Sequence, residues 1–128
     1  MRELVQRRAK NRCEYCLLGQ EHYPLTHHLE HILAKQHGGS EEASNLALAC
    51  HWCNLRKGPN LTGIDPVTNQ VVPLFHPRQN EWLDHFQVIG ERIEGRTPIG
   101  RTTVQVLAMN DARRLDLRQE LLARGEFP

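Results

Sequence analysis

Long apolar runs are missing from this chain: none of its 128 residues falls in a stretch near the roughly 18 that a membrane-spanning helix needs. The first twelve residues, "MRELVQRRAKNR", contain no apolar block of the signal-peptide kind, so the sequence reads as cytoplasmic. Aromatic residues make up only 5% of the chain, which predicts a modest and largely aliphatic core. A strong excess of charge is absent too, the formal net charge being +1, so bulk electrostatics announces no polyanionic partner. There is no internal repeat and no low-complexity tract, and the length fits one domain.

Against that background the four cysteines stand out. They fall as Cys13-x2-Cys16 and Cys50-x2-Cys53, with 33 residues between the pairs. An x2 spacing lets one tight turn aim two sulfurs at one ion, and two such turns complete a tetrahedral thiolate shell with no open position. That pattern describes a structural zinc site. Buried free thiols and an iron site of the rubredoxin kind use the same residues and stay open as readings. In a reducing compartment a disulfide framework is the weaker choice.

The secondary-structure signals are short. Residues 2–10 read as a helix with Leu4, Val5 and Ala9 near one face, stopped at Asn11. Arg2, Arg7, Arg8, Lys10 and Arg12 crowd this segment against one acid, Glu3, as a phosphate-contacting run or a solvated helix face. Residues 25–33 alternate as a strand, placing Thr26, His28, Glu30 and Ile32 on one face and His27, Leu29, His31 and Leu33 on the other. A short helix is expected after Cys53, ended by Gly58-Pro59. Hairpins are expected around Asp65 to Gln70 and around Gly90-Glu91, with one or two helical turns between them. A helix starts at Thr97-Pro98 and runs to about Arg124, with a break at Asn110-Asp111. Its arginines Arg113, Arg114, Arg118 and Arg124 alternate with acids and read as a solvated face. Trp52, Trp82 and His85 are expected to pack the later segments onto the first part of the chain. His27 and His37 are expected at the surface.

The segments "CEYC", "LEHILAKQHGG", "NLALACHWCN" and "RKG" follow one another from Arg12 to Gly58. In this order and spacing they resemble the HNH endonuclease family. The resemblance implies an α+β fold: a small ββα-metal core of the His-Me finger type, stabilised by a four-cysteine zinc site and followed by hairpins and a C-terminal helical extension. The chain would be a single domain over residues 1–128, with the core at 12–58 and the extension at 59–128. A looser similarity, "GIDP…VPLF…PR…W…HF", covers Gly63 to Phe86 of that extension.

Carried over residue by residue, the resemblance makes His31 the general base and Asn45 the residue that braces the loop and orients the histidine backbone. Glu30 and Asn54 become ligands of a catalytic divalent ion, Mg²⁺ or another such as Mn²⁺ or Ni²⁺. His28, two residues before Glu30, is an extra candidate ligand. Glu30 stands where aspartate is commoner in the family, and Ala34 where proline is usual. The chemistry suits the residue types. A neutral imidazole takes a proton from water near neutral pH. A hard ion on oxygen ligands polarises phosphate and the leaving oxygen. Lys35, Arg56, Lys57 and Arg78 flank the site in sequence and are candidate contacts to the DNA backbone, which position a duplex without reading bases. The resulting expectation is a metal-dependent endonuclease acting on DNA, double-stranded by preference, through one metal and a histidine base. The alternative is a zinc-ribbon nucleic-acid-binding module without cleavage.

Overall fold

A computed structural model describes the whole chain, residues 1–128. It is an α+β arrangement of three separate two-stranded antiparallel sheets and five short helices. Helix α1 (Arg2–Arg8) precedes the first cysteine knuckle. Strand β1 (His28–His31) pairs with β2 (Leu46–Ala49), in the register His28 opposite Ala49 and His31 opposite Leu46. Helix α2 (His51–Lys57) follows at once and packs back on both strands. The second hairpin joins β3 (Thr62–Ile64) and β4 (Val71–Pro73). A single turn, α3 (Trp82–His85), leads into β5 (Phe86–Ile89) and β6 (Arg92–Gly95). Helices α4 (Pro98–Val106) and α5 (Ala112–Ala123) close the chain. No helix is long and apolar enough to cross a membrane.

The boundaries have local causes. Strand β1 is shorter than the alternating pattern because its partner holds only four residues, between the Asn45 loop and the Cys50 knuckle. Helix α2 begins earlier than expected, since Cys50 caps it: its Sγ accepts from the Cys53 N–H at 3.4 Å. Thr97 caps α4 through Oγ1 to the Gly100 N–H, with Pro98 in the first turn, where its missing N–H costs nothing. Asp111 caps α5 through the Arg114 N–H. The break between those helices does more than turn the chain: the Asn110 side chain pairs with both the N–H and the C=O of Ile93 in β6.

Seventeen buried residues form the main core. Its centre is more aromatic than composition suggests. Phe75 meets Tyr15, Phe86 and His85 edge-on, at centroid separations of 6.3, 5.1 and 6.0 Å. Few aromatics are present, but they converge on one point, where each buries a large area. Trp82 donates from Nε1 to the Tyr15 carbonyl at 2.9 Å and stacks on Phe86, tying the later segments to the first knuckle. Trp52 packs against Tyr23.

Two surface expectations need correction. His27 is 1% exposed, because its Nε2 pairs with the Leu18 carbonyl at 2.9 Å and pulls the ring inward. Arg114 and Arg118 are buried, so α5 does not present a uniformly solvated charged face. His37 is exposed, as expected.

Candidate metal centre and nuclease-like site

The two knuckles meet. The ligand atoms of Cys13, Cys16, Cys50 and Cys53 all lie within 4.8 Å of one another, and all four residues are buried. The Sγ atoms of Cys16 and Cys50 are 3.7 Å apart. The edge of a tetrahedron with metal–sulfur bonds of about 2.3 Å is ~3.8 Å, which the Cys16–Cys50 separation matches. Each knuckle is held by its own backbone: Cys13 and Cys50 accept from the N–H three residues on, at 3.4 Å in both cases. Burial pushes the thiols of Cys13 and Cys53 well up. Hydrogen bonds from Cys13, Cys50 and Cys53 hold that of Cys16 well down. The donor set fits a soft, closed-shell divalent ion with a structural role.

Between the knuckles, the β1–β2 hairpin and α2 form a ββα unit. Glu30 and His31 leave β1 on opposite faces, as neighbouring strand residues must. Glu30 faces inward. Its carboxylate receives the Tyr15 hydroxyl at 3.2 Å on Oε1 and 3.0 Å on Oε2, and the Lys57 ammonium at 2.7 Å on Oε1. Lys57 also donates to the Ile32 carbonyl at 2.9 Å. Burial raises the Glu30 carboxyl above its ordinary value, against the opposing pull of Lys57 and Tyr15.

His31 faces the other way, half-exposed at the end of β1, where the chain bends through Ile32 and Leu33. Its Nε2 lies 3.0 Å from Glu41 Oε1, and Lys35 Nζ lies 2.9 Å from the same oxygen. Lys35 first, then His31, holds the Glu41 carboxyl below its usual value.

Asn45 braces this loop with three bonds. Its Oδ1 accepts from the Leu33 N–H at 2.8 Å; its Nδ2 donates to the carbonyls of Leu33 at 3.0 Å and Ser40 at 2.8 Å. Arg8 of α1 secures the same loop, donating to the Ala43 and Leu46 carbonyls at 3.0 and 2.6 Å. Gly39 is confined too: a Cβ there would land inside the Leu33 carbonyl.

On α2, His51, Asn54 and Lys57 recur three residues apart and share one face. The His51 ring lies 5.9 Å from the His28 ring, and Lys57 reaches Glu30, so the half-buried Asn54 sits between those two contacts. Burial first, and then the nearby His51, pushes the His28 imidazole down. Thus His28 and Glu30 of β1 meet the α2 face that carries His51, Asn54 and Lys57, whereas His31 leaves β1 on the opposite side, on the loop that Asn45 braces.

The four candidate DNA contacts divide. Lys35 and Arg56 are exposed. Lys57 is only 2% exposed, its ammonium engaged by Glu30 and the Ile32 carbonyl. Arg78 is half-buried and paired with Glu14, which also accepts from the Leu48 N–H. Lys57 and Arg78 therefore act as internal ties in this arrangement. Sequence reasoning missed Tyr15, Glu41, Arg8 and Arg114 as partners of site residues. Only Tyr15, set inside the first knuckle, carried a positional signal.

Residues 13–60 match the model of the HNH endonuclease family. No match to a curated protein or to a solved structure was found. That similarity points to a nuclease-like or nucleic-acid-binding function, and the four-cysteine cluster to zinc.

Proposed function

We propose that the chain is a metal-dependent DNA endonuclease that hydrolyses a phosphodiester bond with His31 as general base. The observation that carries this reading is the position of His31. It ends β1 on the solvent side, on a loop fixed by Asn45 and Arg8 and one residue from Glu30. An imidazole held on a braced loop and open to solvent is placed to take a proton from a water attacking a phosphate.

In this reading Glu30 and Asn54 hold the divalent ion through carboxylate and amide oxygens. For Glu30 to hold the ion, its carboxylate would have to exchange the Lys57 and Tyr15 contacts it makes here. When bound, the ion would neutralise charge on the phosphate and the leaving oxygen. His31 takes the proton of the attacking water. Glu41 keeps the ring from rotating until a phosphate displaces it. Asn45 holds the backbone at Leu33 so that the base does not drift. Lys35 and Arg56, both exposed, take backbone phosphates of duplex DNA, and binding weakens steeply with salt.

The second reading, a nucleic-acid-binding module without cleavage, is favoured by one observation: the Glu30 carboxylate is sealed and already paired with an ammonium. Supercoiled plasmid incubated with Mg²⁺, Mn²⁺ or Ni²⁺ separates the two. The nuclease reading expects nicked or linear product that is lost in His31→Ala while the mutant still binds DNA. Binding without product in any of these metals would leave the module.

A further inference from the structure

We propose that Arg114 is the counter-ion of the four-cysteine metal centre, and that through it the bound metal holds the C-terminal helix α5 on the core. The proposal rests on the zinc reading of the cysteines and goes beyond it, because Arg114 lies far outside the family-matched segment.

Arg114 is 2% exposed. Its Nη2 donates to Cys53 Sγ at 2.9 Å, and its Nη1 to the Leu107 carbonyl at 2.7 Å and the Ala108 carbonyl at 3.3 Å. The guanidinium also lies over the Trp52 ring, 5.7 Å from its centroid. One turn on, Arg118 is 3% exposed and donates to the carbonyls of Glu91 and Met109 and to Asn110 Oδ1. None of the ion pairs in the chain gives either arginine a carboxylate. Two buried cations without an acidic partner are costly unless another anion answers them.

The sulfur cluster is that anion. Four thiolates around one divalent ion carry a formal charge of about −2, which a pair of guanidinium groups balances. Four protonated thiols carry none, and Arg114 would then be a buried cation facing neutral sulfur. Metal loading and the seating of α5 therefore favour each other, and coupling of this kind is reciprocal: what the metal gives to the helix, the helix gives to the metal. Hydrogen-bonding neighbours of metal ligands commonly change affinity about 10- to 100-fold when removed.

The test begins with metal content. Wild type that binds no zinc in four-thiolate form would defeat the zinc reading itself. With zinc bound at one per chain, three measurements address the coupling. In Arg114→Met, competition with a chromophoric chelator should show zinc affinity reduced at least tenfold, while Arg124→Met, on the exposed end of the same helix, leaves it unchanged. In Arg114→Lys, which keeps the charge and loses the fork, the Co²⁺-loaded protein should show its sulfur-to-metal band moved to lower energy. In wild type, removing zinc should release the amides of residues 112–123 to hydrogen exchange together with those of the knuckles. An Arg114→Met protein with wild-type zinc affinity would overturn the proposal. So would a helix that stays protected after the knuckles have lost their metal, a readout that stands even if Arg114→Met fails to fold.

Discussion

The Lys57 ammonium stands 2.7 Å from Glu30 Oε1, with both side chains almost wholly sealed from solvent. The pair joins β1 to α2 at the centre of the ββα unit, so each member answers for the other's desolvation. Lys57→Met should destabilise the protein by about 3–5 kcal/mol in urea unfolding at neutral pH, since it leaves a buried carboxylate without its cation. Glu30→Gln with Lys57→Met should recover much of that loss. The sign with pH is set by burial, which raises the Glu30 carboxyl. A group raised in the folded state contributes fully below its unfolded value and loses that contribution as pH climbs through the folded one. The Lys57→Met penalty should therefore grow from pH 5 to pH 8.

Asn45→Ala removes three hydrogen bonds from one loop. It should cost about 1–3 kcal/mol, because the Leu33 N–H loses its partner. If the chain cleaves DNA as proposed, it should also lower turnover far more than DNA affinity, measured by comparing plasmid nicking with filter binding.

Gly39→Ala should damage the same loop by another route. The added methyl meets the Leu33 carbonyl and the Asn45 amide, and neither can move without breaking the other's bond. A lowered thermal midpoint is expected, together with slower nicking. Gly38→Ala is the comparison: φ is +89° there but space is open, so it pays backbone strain without a clash.

Cys50→Ser opens a closed shell and removes the sulfur that caps α2. Zinc release and loss of cooperative unfolding are expected, since metal at such sites contributes on the order of 10 kcal/mol to folding. Zinc binding to wild type should liberate protons, and the apparent affinity should rise with pH, because the ion takes thiolates.

Much of this architecture is legible in the sequence because its signals are local. The x2 spacings bring the sulfurs together, Thr97-Pro98 opens α4, and Asn110-Asp111 separates α4 from α5. Gly90 turns the last hairpin at φ +58°. What is not legible depends on contacts distant in sequence. Arg114 looks like its exposed neighbour Arg113 in the chain, and only the placement of Cys53 next to α5 makes it internal. Lys57 reads as a phosphate contact beside Arg56, yet helical spacing turns one outward and the other toward Glu30. Glu41 follows a glycine pair whose turn brings it back to His31, a path that periodicity does not reveal.

Every strand in the molecule pairs with its nearest neighbour in sequence. Such hairpins form from their own turns, so the distant pairings the chain must find are made by side chains, such as Trp82 with the first knuckle and Arg114 with the second. The cysteine cluster closes one wide ring, joining residue 13 to residue 53 across the β1–β2 hairpin. All four sulfurs precede α4 and α5 in the chain, so synthesis supplies the whole cluster before the helix whose Arg114 leans on it.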